Sequence, residues 1–217
     1  MLALASRLGE TCPVLLVRVQ LPDRPGALGT VATAMGRAGA DISAMEIVEK
    51  GEGCVIDDFM LTIPAGALVD LLVSECNELD DVEVLWVSRW PESWGIEGDI
   101  ELLNAMASQP SRSAQLLTER APVVFRSQWA ALLEQPSGRM LHGSAQSPDF
   151  LPEHGSWLGA LDQLHTVLLP AGWLPQWPET VAAVVPCNHR CLVVGRQGGP
   201  DFLDSELRRL SHLAALS

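Results

Sequence analysis

The stretch with the clearest potential for chemistry is LPDRPGAL, residues 21–28. An apolar segment ends here at two prolines and a glycine, and a helical pattern follows. The backbone N–H groups of the first turn of such a helix attract a carboxylate or another anion. Gly26 lets a ligand approach the backbone closely, and Pro25 fixes the direction of the chain. Asp23 can pair with an amino group across the same gap, so this loop is the best candidate for a ligand site.

A second cluster, Cys187, His189 and Cys191, consists of residue types that bind zinc. Strand alternation would place all three on one face, but residues 188–190 are typical of a hairpin turn. A structural zinc site also needs a fourth ligand and usually contains pairs of closely spaced cysteines. We therefore expect no metal here, but a small apolar cysteine in each strand and a histidine that faces solvent.

The remaining polar motifs do not indicate catalysis. The sequence GRQGG at residues 195–199 lacks the Gly-Lys-Ser/Thr ending of a phosphate-binding loop. No Ser-His-Asp, Cys-His or paired-carboxylate arrangement stands out. The acidic pairs at 57–58 and 80–81 are expected to be solvated residues of a strand end and a turn. We expect a protein that is not an enzyme and that uses no cofactor.

Composition excludes several classes of partner. The chain has 217 residues, a hydrophobic content of 47% and a formal net charge of −13. This acidity argues against nucleic acid as a partner, and the apolar runs are too short to span a membrane. The N-terminal sequence lacks the basic region of a secretion signal. Five widely scattered cysteines, an odd number, favour a reducing cytoplasm.

Hydrophobic periodicity predicts six elements in the first half of the chain. They are a strand at Val14–Leu21, a helix with the apolar stripe Leu28, Val31, Ala32 and Met35, strands at Asp41–Lys50 and Cys54–Ile63, a helix opened by Pro64 with Leu68, Leu71, Leu72 and Cys76 on one face, and a strand at Val82–Trp90. The first helix is expected to be capped by Asp23 or Arg24, with Pro25 in its first turn and Gly39 just beyond its end. This order predicts an α+β fold, a ferredoxin-like βαββαβ sandwich.

The second half of the chain has a less regular sequence pattern than the first. It also predicts an α+β fold, with an antiparallel sheet. Residues 91–99 are rich in turn formers and predict a linker. The predicted elements are helices at Asp99–Ser108 and at Ser111–Arg120 with Ser111 as cap, strands at Val123–Leu133 and Arg139–Ser144, a loop-rich passage to Glu179, a hairpin of Thr180–Cys187 and Cys191–Gly195, and a helix capped by Asp204 with Leu207, Leu210, Leu213 and Ala214 on one face.

Residues 12–90 resemble an ACT domain, a small regulatory module that typically binds amino acids. The resemblance rests on the Asp/Asn-Arg-Pro-Gly-x-Leu loop, the helix rich in small residues, and the Gly-x-Asn/Asp-Ile motif that opens the second strand at residues 39–42. It implies an amino-acid ligand held between that loop and that strand, often across a dimer interface. The implied ligand-binding residues are Asp23, Arg24, Pro25, Gly26, Ala27 and Leu28 on one side and Asp41 and Ile42 on the other. Many members have Asn at the positions of Asp23 and Asp41, and two carboxylates favour the ammonium group of a ligand but repel its carboxylate.

Residues 100–217 resemble a GAF domain in their final part. The shared features are a Val-Pro strand, a tight turn, a Leu-Val-Val-Gly strand, an acidic loop with Phe, and a closing leucine helix, over residues 184–216. Such domains bind diverse small molecules over the sheet or dimerise through terminal helices. No ligand motif carries over to this sequence. The residues Trp129, Trp157, Trp173 and Trp177 either line an apolar pocket or belong to the core and its cover.

These observations predict a cytoplasmic, non-enzymatic sensor that has an ACT domain followed by a GAF-like domain and binds an amino acid at the first loop. A homodimer is expected, because ACT sheets commonly pair and residues 207–216 form an apolar helix. The alternative is an interaction or dimerisation module without a metabolite ligand. Filling of the cleft by Leu28 or Met45 would favour that alternative. A zinc or flavin enzyme is a third possibility, which metal analysis or absorbance would reveal.

Overall fold

The computed structural model of the chain describes residues 14–89, 96–150, 152–170, 173 and 179–217. The chain divides into two compact units, Met1–Trp90 and Pro91–Ser217. Both units combine helices with an antiparallel sheet, so the predicted α+β class is confirmed. Residues 91–95 of the predicted linker and Trp177 lie outside the described residues. None of the helices in the described ranges has the length and hydropathy needed to cross a membrane.

The first unit has the predicted βαββαβ order. Its elements are β1 (Val14–Pro22), α1 (Ala27–Arg37), β2 (Asp41–Lys50), β3 (Cys54–Thr62), α2 (Val69–Asn77) and β4 (Glu83–Arg89). The strands form one sheet in the order β2-β3-β1-β4, with every neighbouring pair antiparallel. Strands β1 and β3 are therefore central, and β2 is an edge strand. The ferredoxin-like prediction is confirmed.

Alternate residues of the central strands form the core of the first unit. Val17 and Val19 of β1 and Phe59 of β3 are buried together with residues of both helices. The buried face of α1 consists of Ala27, Val31, Ala34 and Met35. The predicted stripe is therefore wrong at two positions, since Leu28 is exposed and Ala32 is only partly buried. The buried residues Ala27, Val31, Ala34 and Met35 have the i, i+4, i+7, i+8 spacing of one helical face, so the stripe through Val31 and Met35 extends toward Ala27 and Ala34 and not toward Leu28 and Ala32.

The start of α1 differs from the prediction. Gly26 is its N-cap and has φ of +92°, a left-handed conformation that favours glycine. Asp23 and Arg24 do not cap the helix, and Pro25 precedes the cap instead of lying in the first turn. The end agrees with the prediction, because Ala38 is the C-cap and Gly39 follows it with φ of +81°.

The second helix of this unit is also shorter than predicted. Pro64 opens a turn, and α2 begins five residues later at Val69. Leu72 and Cys76 are buried as predicted, but Leu68 and Leu71 are exposed. Leu68 lies outside the helix as its N-cap, so the apolar face covers only the later residues.

The second unit contains five strands and three α-helices in its described part. Its elements are α3 (Ile96–Ser108), a 3₁₀ turn (Pro110–Arg112), α4 (Ser113–Val124), β5 (Trp129–Glu134), β6 (Met140–Gly143), a 3₁₀ helix (Pro152–Leu158), β7 (His165–Leu168), β8 (Thr180–Cys187), β9 (Arg190–Gln197) and α5 (Asp204–Ala215). The strands form one antiparallel sheet in the order β6-β5-β9-β8-β7. Both faces of the central strands are buried.

One face of this sheet packs against the helices, and the other face carries an aromatic cluster. Leu117 of α4 and Leu210 of α5 belong to the helix-side core. On the opposite face, the ring of Trp129 lies directly over Gly195, where an added Cβ would come within 1.9 Å of the ring. Trp129 and Trp173 are buried there, with ring centroids 5.6 Å apart.

Four sequence predictions for the second unit need correction. The strand predicted at Val123–Leu133 begins only at Trp129, because residues 123–124 complete α4 and Phe125 is buried in the helix-side core. Ser111 lies in a 3₁₀ turn and caps no α-helix. Asp204 is the first residue of α5, whereas Leu203 is its N-cap. The passage predicted to be loop also contains β7 and a 3₁₀ helix. The predicted apolar face of α5 is confirmed, since Leu210, Leu213 and Ala214 are buried and Leu207 packs against the same core while partly exposed.

Arg196 of β9 joins several elements of the second unit. Its side chain is fully buried and forms a bidentate ion pair with Glu206 of α5, at 3.0 and 3.3 Å. It also donates to four backbone carbonyl oxygens, those of Phe125, Arg126, Pro200 and Asp201. The carboxylate of Glu206 accepts a further hydrogen bond from the Leu203 N–H at 2.9 Å. The buried charges are therefore surrounded by hydrogen bonds.

Candidate functional site

The loop between β1 and α1 is held against the hairpin turn between β2 and β3. The Asp23 N–H donates to the Gly53 carbonyl oxygen at 3.1 Å, and the Arg24 N–H donates to the Pro22 carbonyl oxygen at 2.9 Å. The Ala27 N–H donates to the Arg24 carbonyl oxygen at 3.2 Å. These backbone hydrogen bonds fix the loop at the end of the sheet where β1 finishes.

A pair of opposite charges lies at this end of the sheet. The Lys50 Nζ is 3.4 Å from the Asp23 Oδ1, and Lys50 is the only lysine of the chain. The side chains are 59% and 44% exposed, respectively. An exposed ion pair of this kind contributes at most about 1 kcal/mol to stability. Both charges are therefore available to a ligand that brings two charges of its own.

The first turn of α1 adds hydrogen-bond donors to the same region. The Thr30 N–H is already bonded to the Gly26 carbonyl oxygen at 3.1 Å. Leu28 and Gly29 are the second and third residues of the helix, and N–H groups at these positions have no acceptor within the helix itself. The side chains of Arg24, Pro25 and Leu28 are exposed, whereas Ala27 is buried in the core.

The second half of the implied site lies far from the first within one chain. Asp41 and Ile42 begin β2, and Asp41 is in register with Thr62 of β3. Lys50, at the other end of β2, is in register with Val55 of β3, next to the loop. The seven residue steps from Val55 to Thr62 correspond to roughly 23 Å along a strand. The structure therefore brings Asp23 and Lys50 together and keeps Asp41 at the opposite end of the sheet.

Asp57 is the polar residue of this region that the sequence interpretation missed. The sequence predicts a solvated residue here, but Asp57 lies in the middle of β3 and is 2% exposed. Its register partners are Val19 and Ile47, and its Oδ1 has no hydrogen-bond partner. Burial, followed by the negative charge of Asp58, raises the pKa of Asp57 to about 6, while Lys50 lowers it and Asp23 raises it slightly. The buried carboxyl group is thus electrostatically coupled to the Asp23–Lys50 pair.

Asp58 has a different environment although it is the next residue. It is fully buried and forms a bidentate ion pair with Arg18 of β1, at 2.9 and 3.0 Å. The expectation of solvated residues is therefore wrong for both aspartates, because β3 is a central strand. The signal in the sequence was Arg18 in the middle of one apolar strand and two acids in the middle of another. Arg18 and Asp58 occupy directly opposite positions of the antiparallel strands β1 and β3, so a charge pair between them follows once the register is known.

A cavity of about 440 Å³ opens beside this loop. Pro22 and the hairpin turn around Gly53 form part of its wall, and three carboxylates line it. These are Glu52, Asp81 and Glu83. No residue of the implied set from Asp23 to Leu28 lines this cavity. Its acidic wall is suited to a positively charged group, as is the Asp23 carboxylate.

The cysteines and the histidine of the second candidate cluster do not converge. Cys187 belongs to the helix-side core and Cys191 to the core on the other face of the sheet. His189 lies exposed in the turn between β8 and β9. No group of three or more potential metal ligands occurs among the described residues. Burial raises the pKa of the Cys191 thiol to about 12, so this thiol is a poor nucleophile.

The tryptophans do not line an empty pocket over the second sheet. Trp129 and Trp173 are core residues, and Phe150 lies 5.6 and 5.9 Å from their ring centroids. Trp157 stacks on His154 with a centroid distance of 4.9 Å. Trp129, Trp157 and Trp173 therefore fill this face of the sheet, as the alternative of core and cover predicts.

A comparison with protein families identifies a domain in the first unit. No curated protein matches the chain. A crystal structure of an unknown protein from Galdieria sulphuraria is similar, with 13% sequence identity, a TM-score of 0.33, and coverage of 84% of this chain and 80% of that chain. Residues 15–75 match the family model of the ACT domain. The predicted resemblance is thus confirmed over those residues, and the first unit contains an ACT domain, a module that generally binds small molecules and regulates.

Proposed function

We propose that this protein is a non-enzymatic regulator that binds a free amino acid at the loop between β1 and α1. The observation that carries the proposal is the exposed Asp23–Lys50 pair beside the first turn of α1. A free amino acid is a zwitterion and can replace both partners of this pair. Its ammonium group would bind the Asp23 carboxylate, and its carboxylate would bind Lys50 and the N–H groups of Leu28 and Gly29.

A second copy of the chain completes this site. Strand β2 lies at the edge of the sheet, where its outer backbone groups can pair with another strand. A two-fold axis at Glu46 would pair β2 with the β2 strand of the partner in an antiparallel arrangement, because directly opposite residues lie on the same face of the sheet. This pairing places Ile42 of the partner subunit opposite Lys50 of the first, with Asp41 of the partner subunit next to it. The dimer would then contain two complete sites, each with the Asp23 half from one chain and the Asp41 half from the other.

In a purely structural module, Leu28 or Met45 would fill the cleft. The positions of these two side chains favour ligand binding instead. Leu28 is 38% exposed, and Met45 packs against the core of its own unit. The alternative function is an interaction module in which the dimer forms and no metabolite binds. It predicts the same β2 pairing but no effect of any amino acid.

We propose a GAF-like assignment for the second unit. Its support is the order of β8 with Val185-Pro186, a tight turn at residues 188–189, β9 with Leu-Val-Val-Gly at 192–195, and the closing helix α5. A cytoplasmic location is also proposed. Its support is that the four cysteines of the described residues are free, as is usual in a reducing compartment.

The first experiment is calorimetry of the full chain with each of the twenty proteinogenic amino acids. We expect at least one to bind at millimolar concentration or below. For that amino acid, Asp23→Asn and Lys50→Gln should each weaken binding about tenfold or more, because each removes one charge-assisted contact. Asp80→Asn is the matched control, since it removes an exposed carboxylate in another turn. Absence of binding by all twenty would favour the interaction module.

A mixing experiment tests whether the site is shared between two chains. Asp23→Asn and Asp41→Asn should each weaken binding about tenfold or more when expressed alone. A heterodimer of the two variants should regain one of the two sites, because Asp23 of one chain and Asp41 of the other remain intact. A site formed within a single chain would regain nothing. Light scattering that gives a 23.4 kDa monomer would contradict the shared site directly.

A further inference from the structure

The second unit has a cavity of about 590 Å³ at the turn end of its sheet. Three segments meet there: the β5–β6 turn at residues 135–138, the passage at 155–162, and His189 in the β8–β9 turn. The volume lies within the range of about 300–1,000 Å³ that is typical of small-molecule sites. This cavity belongs to the second unit and is independent of the loop in the first.

The walls of the cavity are fixed by hydrogen bonds between those segments. The Gln135 N–H donates to the His189 carbonyl oxygen at 2.9 Å, and the Gln135 side-chain amide donates to the Leu161 carbonyl oxygen. Gly138 and Gly155 approach closely, since a Cβ on Gly138 would lie 3.7 Å from the Gly155 Cα. Segments tied together in this way hold the cavity open without a ligand, which lowers the entropic cost of binding.

Two side chains in the wall are chemically available. Within the part of the chain that the structure describes, neither the Asp162 carboxylate nor the His189 imidazole has a hydrogen-bond or ion-pair partner. The other polar groups are partly engaged, as with the Ser137 hydroxyl, which donates to the Glu134 Oε2 at 2.8 Å. Among the described residues that line the cavity there is no lysine or arginine, and the one full charge they contribute is the negative charge of Asp162.

We propose that this cavity binds a small organic cation, an alkylammonium or guanidinium compound. Its positive group would form a charge-assisted hydrogen bond with Asp162, and a second donor of the ligand would bind the His189 imidazole. Leu161 and Pro136 provide apolar wall for a short alkyl chain between these polar ends. An anionic ligand would meet the uncompensated Asp162 carboxylate, so the cavity selects against it.

Calorimetry of the full chain with three linear probes of similar length tests this proposal. The probes are agmatine as the cation, 1,5-pentanediol as the neutral compound and glutarate as the anion. About 150 mM salt screens the general attraction between a cation and a chain of net charge −13. We expect agmatine to bind at least tenfold more tightly than either other probe. Equal binding of the diol, preferred binding of glutarate, or no binding of agmatine would each overturn the proposal.

Variants locate the binding in the cavity. Asp162→Asn should weaken agmatine about tenfold or more, and His189→Ala should weaken it about threefold to tenfold, with partial recovery in His189→Gln. Asp201→Asn is the matched control, because Asp201 is also exposed but follows the far end of β9. Unchanged binding in Asp162→Asn, or an equal loss in the Asp201→Asn control, would show that agmatine binds elsewhere.

Discussion

Arg196 in the second unit and Arg18 in the first are both fully buried, and each pairs with a carboxylate, Glu206 and Asp58 respectively. In the second unit the surroundings of the pair consist of carbonyl oxygens and an N–H group that complete its hydrogen bonds. In the first unit a second carboxylate, Asp57, is buried next to the pair without a cation of its own.

The difference separates buried charge that stabilises a fold from buried charge that reduces stability. Arg196 joins β9, α4 and α5, so its pair positions helices on a sheet. The Asp57 Oδ1 has no hydrogen-bond partner, and the charges that act on this carboxyl group are those of Asp58, Lys50 and Asp23, two of which belong to the proposed ligand site. A residue that breaks the rules of interior packing is expected where a protein has a function.

The largest effect is expected from breaking the pair in the second unit. Arg196→Met keeps much of the side-chain volume but removes the cation paired with Glu206 and a donor to four carbonyl oxygens. We expect a loss of about 3–5 kcal/mol in the free energy of unfolding, because a buried charge remains uncompensated. Urea denaturation followed by hydrogen exchange of the β8 and β9 amides measures it.

A double variant separates the charge from the packing. Arg196→Met combined with Glu206→Met removes both charges, so it should be less destabilised than Arg196→Met alone. A single variant within about 1 kcal/mol of the natural chain would mean that Arg196 is not the central contact of this unit.

The next effect has the opposite sign and concerns Asp57. Asp57→Asn removes a buried negative charge at nearly constant volume, so it should stabilise the first unit at pH 7.5. A folded-state pKa of about 6 against an ordinary value of 3.8 corresponds to a maximum of about 3 kcal/mol. Urea denaturation of both proteins, read from the amides of β1 and β3, gives the difference.

The pH dependence of that difference follows from the direction of the shift. Folding favours the protonated form of Asp57. This residue therefore lowers the free energy of unfolding least below about pH 4 and most above about pH 6. The advantage of Asp57→Asn should therefore vanish as the pH falls through this window. Asp58→Asn is the adjacent control and should destabilise, since it breaks the buried pair with Arg18. Equal signs for the two variants would refute the distinction between these neighbours.

The sequence predicted the first unit almost completely because its signals are local. Prolines and glycines at residues 22–26 and 64–66 separate runs with clear periods, and the motif loop and the helix end at Gly39 are short-range features. The errors concern the exact starts of α1 and α2. Those starts depend on the left-handed Gly26 and on the turn after Pro64, which periodicity does not reveal.

The sequence predicted less of the second unit and of the polar interior because those features depend on pairing. The run at 123–125 favours a strand by residue type, but burial of Phe125 against the sheet makes it the end of α4. Asp57 and Asp58 appeared solvated because only the strand order makes β3 central. The pair of Asp23 with Lys50 likewise required the register of β2 on β3, which no local pattern specifies.

The smallest stability effect is expected at the exposed pair of Asp23 and Lys50. Because both side chains are largely in solvent, Lys50→Gln should change the free energy of unfolding by less than about 1 kcal/mol and less still at high salt. Urea denaturation at low and high salt measures it. A loss above about 2 kcal/mol would place this pair with Arg196–Glu206 as a structural contact. A small loss of stability together with a large loss of amino-acid binding would show that these charges are held ready for exchange with a ligand.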